Sequence, residues 1–178
     1  MKGVEYRLQD FLKPAGQTSL VVDASAGLVL GVLPGLEDFS AAVRPILPQV
    51  DGVVCSPGQI KKLVGLTKVD AGLLVRADWH NTLRGEAFVL PMSKAQRTTV
   101  LGAGEALDLG AAGMVMTFLL GYEEALEADC LQTAVSLALD GKALGIPLVV
   151  EVQTSGPRVS QPGKAVELGV SYVLEAGA

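Results

Sequence analysis

The chain has 178 residues, enough for one domain with a sizeable core. Hydrophobic residues make up 49% of it and aromatics only 4%, a balance that suits parallel strands covered by helices better than an all-β sandwich. A net charge of −5 with scattered Lys and Arg gives nucleic-acid phosphates no continuous basic stripe, which excludes nucleic-acid binding as the main role.

The opening residues, MKGVEYRLQDF, lack the apolar core of a signal peptide, and no apolar run approaches a membrane span. A soluble, cytoplasmic protein without a membrane partner is therefore expected. Cys55 and Cys130 are isolated thiols without metal-ligand spacing, read as small buried hydrophobes in a reducing compartment. His80 is the only histidine, so a metal site built on several imidazoles is excluded and any metal would need carboxylates. No cofactor is expected.

In chain order, residues 1–18 read as a short helix or arm and a turn at Lys13-Pro14-Ala15-Gly16. A first strand over 19–24 ends on Asp23, and the loop from Gly27 to Gly35 leads to a helix from Asp38 to Leu47, capped by Asp38 or Ser40. Strand two, Gly52 to Cys55, ends at Ser56-Pro57-Gly58 and is followed by a helix from Gln59 to Leu66. Strand three, Ala71 to His80, begins apolar and turns polar, with Leu74, Arg76 and Asp78 on one face by alternation. A long loop over 81–99 then marks a functional segment.

The stretch from Gly104 to Ala112 reads as a helix and turn, and Gly102-Ala103-Gly104 as a helix entry rather than a dinucleotide fingerprint, since Leu107 stands at its last glycine. Strand four, Gly113 to Leu119, precedes a helix from Glu123 to Leu144 whose apolar spacing fits packing on a sheet. Strand five runs from Pro147 to Gln153. The chain closes on a helix stopping at Gly177, with Ser171 to Leu174 as a sixth strand the weaker reading. Strand and helix alternation calls for right-handed crossovers and a parallel sheet. The expected fold is α/β, a TIM-barrel type that is incomplete with about five strands, because a full eight-unit barrel takes about 250 residues.

Parallel strands covered on both faces read as continuous apolar runs, so polar exceptions are informative. They are Asp23, Ser56, Arg76 with Asp78, Thr117, and Glu151 with Gln153, all toward C-terminal strand ends, where such folds place their chemistry. One shared polar pocket is the economical explanation. Asp23, Glu151 and Gln153 are the catalytic candidates; Arg76, Asp78, Ser56 and Thr117 are the substrate-binding ones. Arg76 is suited to an anionic group; the alternative reading is that Arg76 and Asp78 neutralise each other or neighbouring carboxylates.

Several motifs resemble the archaeal-type class I fructose-bisphosphate aldolases and their relatives the aminodeoxyheptulosonate synthases. Asp23 matches the aspartate of that family's Asp-His-Gly strand end, with Ala24 and Ser25 in place of the other two residues. Pro34-Gly35-Leu36-Glu37-Asp38 matches its Gly-Leu-Glu/Asp-Asp turn, and Gly104 to Ala112 its Glu-Ala-x-x-Leu-Gly-Ala helix.

The resemblance implies an N-terminal segment packed on a barrel floor and a phosphorylated, sugar-like ketone as substrate, with carbon–carbon bond cleavage or formation. It also implies a strand-six Schiff-base lysine, which would fall just beyond Ala178. In the family, strand five presents a proton-transferring tyrosine; here Glu151 and Gln153 hold the aromatic positions, and Glu151 is the expected acid or base. None of the eight lysines lies near a C-terminal strand end. The alternatives are a non-catalytic relative binding a small sugar or polyol, and a carboxylate or Mg²⁺-dependent enzyme on the same scaffold. Open sheet edges need covering, so a homo-oligomer is expected.

Overall fold

The computed structural model describes residues 2–64 and 71–178. Five strands form one parallel sheet: β1 (Val21–Asp23), β2 (Gly52–Cys55), β3 (Gly72–Arg76), β6 (Gly113–Leu119) and β7 (Leu148–Gln153), in that spatial order. A small antiparallel pair, β4 (Asp78–His80) and β5 (Arg97–Thr99), stands beside it. The helices are α1 (Lys2–Leu8), α2 (Gly27–Leu30), α3 (Phe39–Val43), α4 (Pro57–Val64), α5 (Ala103–Asp108), α6 (Glu124–Leu144) and α7 (Pro162–Glu175). The arrangement is an incomplete TIM-barrel-type α/β fold, a curled half-barrel with five parallel strands.

Alternation divides the side chains between two faces. On the convex side, Val53, Cys55, Leu73, Val75, Met114 and Met116 pack against helices through Ile60, Leu63, Ala103, Ala106, Ala134 and Leu137. On the concave side, Val54, Leu74 and Val115 close around Phe11, which follows α1 and is 2% exposed. The N-terminal segment thus fills the floor of the half-barrel. Its ring has room there because β2, β3 and β6 each begin with glycine: a Cβ at Gly72 would meet Phe11 Cβ at 2.9 Å, and one at Gly113 would meet Phe11 Cε1 at 3.3 Å. Burying such a ring is worth about 1.5–3 kcal/mol, so floor and arm stabilise each other.

Several boundaries differ from the sequence reading. The helix expected over Asp38 to Leu47 breaks after Val43, and a 3₁₀ turn follows at Leu47–Gln49. Pro45 and Pro48 lack the N–H an α-helix needs. Asp38 does cap α3, its carboxylate accepting from Ala41 N–H at 3.1 Å. Part of the glycine-rich loop is helical, as α2. The end of the helix expected to reach Leu66 lies outside the described residues. Residues 171–174 belong to α7, not to a sixth strand.

The largest difference is in strand three. It leaves the sheet after Arg76: Ala77 N–H still donates to Val115 O, but Val100 N–H donates to Ala77 O, and Asp78, Trp79 and His80 pair with Thr99, Thr98 and Arg97. The long loop therefore contains a strand, supported by the β-branched residues of Arg97-Thr98-Thr99-Val100.

At the C-terminal end, the loops after β6 and β7 touch through glycine backbones. Gly156 N–H donates to Leu120 O at 3.1 Å, and Arg158 N–H to Gly121 O at 2.9 Å. A Cβ on Gly156 would overlap the backbone of Gly121 and Tyr122, which cannot move aside as a side chain can. The variant Gly156→Ala is expected to lose about 1–3 kcal/mol of unfolding free energy in urea titrations, the usual cost of overpacking. A neutral result would show that the two loops separate without penalty.

Candidate functional site

Arg76 ends β3, the middle strand, and projects into the concave face. Burial to 5% exposure obliges a guanidinium to find partners, and it finds them on both edges of the sheet. Its Nη2 donates to Asp23 Oδ2 on β1 and its Nη1 to Glu151 Oε2 on β7, each at 2.6 Å. Nη1 also donates to Thr117 Oγ1 at 3.2 Å, and Nε to Ser25 Oγ at 3.1 Å. Each carboxylate strand is two strands away from β3, about 10 Å in a flat sheet, so the curl of the half-barrel is what lets one arginine reach both. Burial works against the charge of Arg76, yet the Glu151 hydrogen bond and the charges of Glu151, Asp23 and Asp78 outweigh it and raise its pKa above the ordinary value.

Asp23 is fixed from its other side. Its Oδ1 accepts from Ser25 N–H at 2.7 Å and from Ser25 Oγ–H at 2.6 Å, a local turn that aims the carboxylate at Arg76. The side chains of Asp23 and Glu151 remain 42% and 44% exposed, open to a ligand at the mouth.

Gln153 lies two residues beyond Glu151 on the same strand face. Its Nε2 donates to Thr82 Oγ1 at 3.0 Å and to Ser155 Oγ at 2.7 Å, and Ser155 Oγ contacts Tyr122 OH at 3.0 Å. Thr82 Oγ1 also meets His80 Nδ1 at 2.9 Å. With Gln153 donating to one lone pair of Thr82 Oγ1, the hydroxyl proton is available to Nδ1 when the ring proton of neutral His80 is on Nε2. Burial, then the charges of Arg76 and Arg97, push the His80 pKa down to about 4. At 5% exposure the imidazole is buried.

Asp78 does not join the Arg76 cluster as a partner. Where β3 peels away, β6 is left with a free N–H at Thr117, and Asp78 Oδ2 accepts it at 3.0 Å in place of the departed strand. The fully buried carboxylate is compensated by Arg97, whose Nε donates to the same oxygen at 3.1 Å. Arg97 Nη1 then reaches Asp129 Oδ2 at 3.2 Å and Thr133 Oγ1 at 3.0 Å on α6. Burial raises the Asp78 pKa against the opposing pull of Arg97, the Thr117 N–H and Arg76. Among the described residues, Asp78 Oδ1 and Arg97 Nη2 are buried without a hydrogen-bond partner.

Ser56 caps α4: its Oγ accepts from Gln59 N–H at 3.3 Å while Gln59 Oε1 accepts from Ser56 N–H at 2.9 Å, a reciprocal pair. It lines a separate cleft of about 480 Å³ with Gly27, Gln59 and Lys62. The structure thus brings Asp23, Arg76, Thr117 and Glu151 together, sets Gln153 at their rim, and places Asp78 behind and Ser56 aside.

Ser25, Thr82, Arg97, Tyr122 and Ser155 enter the site without having been singled out from sequence. The long loop carrying Thr82 is pinned by Arg84, whose guanidinium carbon lies 5.2 Å from the Trp79 ring centroid and 5.3 Å from that of Phe88. Arg84 Nη2 also donates to Val29 O at 3.1 Å. Both thiols are buried and held toward their protonated form: burial, then the Asp23 charge, pushes Cys55 up to about 12, and burial raises Cys130. Among the described residues, no group of three or more His, Cys, Asp and Glu side chains could hold a metal ion, and no helix is long and apolar enough to cross a membrane.

A half-barrel with an acid–arginine–acid bridge at its C-terminal mouth has the architecture of part of a (βα) barrel. Comparison with known proteins shows which barrels it is similar to. The chain is 28% identical over 162 residues to the 2-amino-3,7-dideoxy-D-threo-hept-6-ulosonate synthase of Halobacterium salinarum, covering 89% of this chain and 57% of that protein.

Among solved structures, a Schiff-base-forming fructose-1,6-bisphosphate aldolase superposes with a TM-score of 0.76 at 21% identity, over 99% of this chain and 68% of the other. An archaeal fructose-1,6-bisphosphate aldolase with its catalytic lysine bound to a carbinolamine intermediate gives 0.74 at 18% identity, with the same coverage. The aldolase of Slackia heliotrinireducens gives 0.74 at 16% identity, over 99% of this chain and 58% of that one. No family model matches the chain. Sequence and fold agree with the motifs: the chain resembles the archaeal-type class I fructose-bisphosphate aldolases and aminodeoxyheptulosonate synthases, and it spans little more than half the length of its curated relative.

Proposed function

We propose that this chain is the substrate-orienting part of a class I aldolase-type protein that cleaves or forms a carbon–carbon bond in a phosphorylated, sugar-like ketone. The observation that carries this reading is the Asp23–Arg76–Glu151 bridge across the mouth of an aldolase-type half-barrel. Asp23 and Glu151 present half-exposed carboxylates, and Glu151 Oε1 has no hydrogen-bond partner among the described residues, so it is free to take a proton from a substrate hydroxyl. Thr117 and Ser25 hold Arg76 in place between the two acids.

The imine-forming amine of this reading is not on the described face. Lys2, Lys61, Lys62, Lys142 and Lys164 lie on helices, Lys13 and Lys94 on loops, and Lys68 outside the described residues. The reading therefore places the lysine on a strand following α7. A second reading, a relative that binds a sugar or polyol without cleaving it, is favoured by that same placement of the lysines. The carboxylate or Mg²⁺ alternative is weakened because both carboxylates already give an oxygen to Arg76.

The protein is read as cytoplasmic and active in carbohydrate metabolism. It is also read as an oligomer, since β1 and β7 each have one unpaired edge among the described residues and α7 exposes Leu168, Val170 and Leu174. The test is incubation of the protein carrying the strand that this reading places after α7 with fructose 1,6-bisphosphate, with aldehyde release followed by a coupled assay and imine formation by borohydride trapping and mass spectrometry. Aldehyde release with a trapped adduct is the expected result. Ligand binding without either would favour the second reading.

A further inference from the structure

Every polar group on the concave face can be asked how many of its hydrogen-bonding valences the protein already uses. Arg76 has five N–H donors, and four are spent: Nε on Ser25, both of Nη1 on Thr117 and Glu151, and one of Nη2 on Asp23. Its charge is opposed by two carboxylates at 2.6 Å, leaving the trio with one net negative charge.

Apart from the second hydrogen of Arg76 Nη2, the unspent valences are of the other kind. Glu151 Oε1 accepts no hydrogen bond among the described residues. Gln153 commits both amide hydrogens, to Thr82 and Ser155, so its remaining capacity is the acceptor Oε1. Asp23 keeps a half-exposed carboxylate edge beside Arg76. A face built of unspent acceptors and a net negative charge attracts donors and repels anions.

We propose that the face around Arg76 binds the uncharged, hydroxyl-bearing stretch of its ligand through the acceptors of Asp23, Glu151 and Gln153, and that it does not grip phosphate. The proposal rests on this face being the ligand site of the proposed function. It assigns Arg76 a different task from the anion receptor that its position in the sequence suggests: it fixes the two acids from opposite edges of the sheet. Gln153 becomes a specificity-determining residue, held in one orientation by Thr82 and Ser155 so that a ligand hydroxyl, but not an anionic oxygen, completes its hydrogen bonding.

The probes are an open-chain hexitol, the same hexitol carrying one phosphate, and inorganic phosphate, titrated against the 178-residue chain by calorimetry and by amide chemical-shift mapping. The hexitol is expected to bind at least as tightly as its phosphate ester and both to shift the amides of β7 and the Ser25 turn, while inorganic phosphate neither binds there nor competes. Gln153→Met, which removes the amide at nearly constant size, should weaken both polyols by about tenfold, the loss of one hydrogen bond.

Glu151→Gln gives a gain to look for. With one counter-charge gone, Arg76 regains capacity for an anion, so the phosphate ester should improve relative to the hexitol by about tenfold, in line with a charge-assisted hydrogen bond. Competition by inorganic phosphate in the unmodified protein, an unchanged preference in Glu151→Gln, or no hexitol binding at all would each overturn the proposal. Hexitol binding in this pattern together with failed borohydride trapping would instead count against carbon–carbon bond chemistry and leave the assignment of the face intact.

Discussion

Arg97→Met is expected to lower the unfolding free energy by about 3–5 kcal/mol, the range found when one partner of a buried ion pair is removed. The side chain of Arg97 is 1% exposed and that of Asp78 0%, so no water stands ready to solvate the carboxylate left behind. Asp78 cannot withdraw either, because it satisfies the Thr117 N–H that β3 abandons.

Adding Asp78→Asn to Arg97→Met should recover a large share of the loss, since the amide oxygen still accepts from Thr117 and carries no charge. The loss in the single variant should also shrink in acid: a protonated Asp78 needs no counter-charge, and burial already raises its pKa. Urea titrations of both variants decide the matter. A loss near the 0–1 kcal/mol of an exposed pair would mean that the cluster relaxes open to solvent.

Asp78 was visible as a polar residue in an apolar strand, and alternation put it on the face of Arg76. Alternation holds only while the strand stays in its sheet, however, and at Ala77 the chain changes partners. The signal that could have found the turn was the run Arg97-Thr98-Thr99-Val100, a short β-branched strand inside what read as a long loop.

Elsewhere the regular part of the fold was legible because its causes are local. Gly113–Leu119 and the helix ending at Leu144 follow hydrophobic runs and spacing directly. Asp23, Arg76, Thr117 and Glu151 were legible as a set because a charged or polar side chain at a covered strand end must find a partner, and the strand ends converge. What sequence could not say was which valences those partners would consume. It also could not say that Ser56 would be taken by a helix cap, a competition settled by Gln59 three residues on.

His80 sets the second large expectation, a loss of stability in mild acid. Its pKa falls from 6.5 to about 4 in the folded protein, mainly through burial and then through the charges of Arg76 and Arg97. Between those two values the unfolded chain takes up a proton that the folded protein refuses, so the unfolded state binds more protons and stability rises with pH. The contribution is therefore fully present above pH 6.5 and is lost as the pH falls toward 4, amounting to roughly 3 kcal/mol over the interval.

Asp78 acts in the opposite sense. Its raised pKa means that the folded protein takes a proton before the unfolded chain does, so acidification relieves its burial and offsets part of the His80 loss. The two are separable by substitution. His80→Asn keeps an acceptor for the Thr82 hydroxyl but does not titrate, and its unfolding free energy should change little between pH 6.5 and 4, or rise slightly as the Asp78 effect shows through. Asp78→Asn should steepen the acid loss, because the compensating proton uptake is gone while His80 still resists its own. If His80→Asn and the unmodified protein lose stability in parallel over that interval, the imidazole is solvated in the folded state. The hydrogen-bonded line from His80 through Thr82 to Gln153 would then lack the dry setting that fixes its direction.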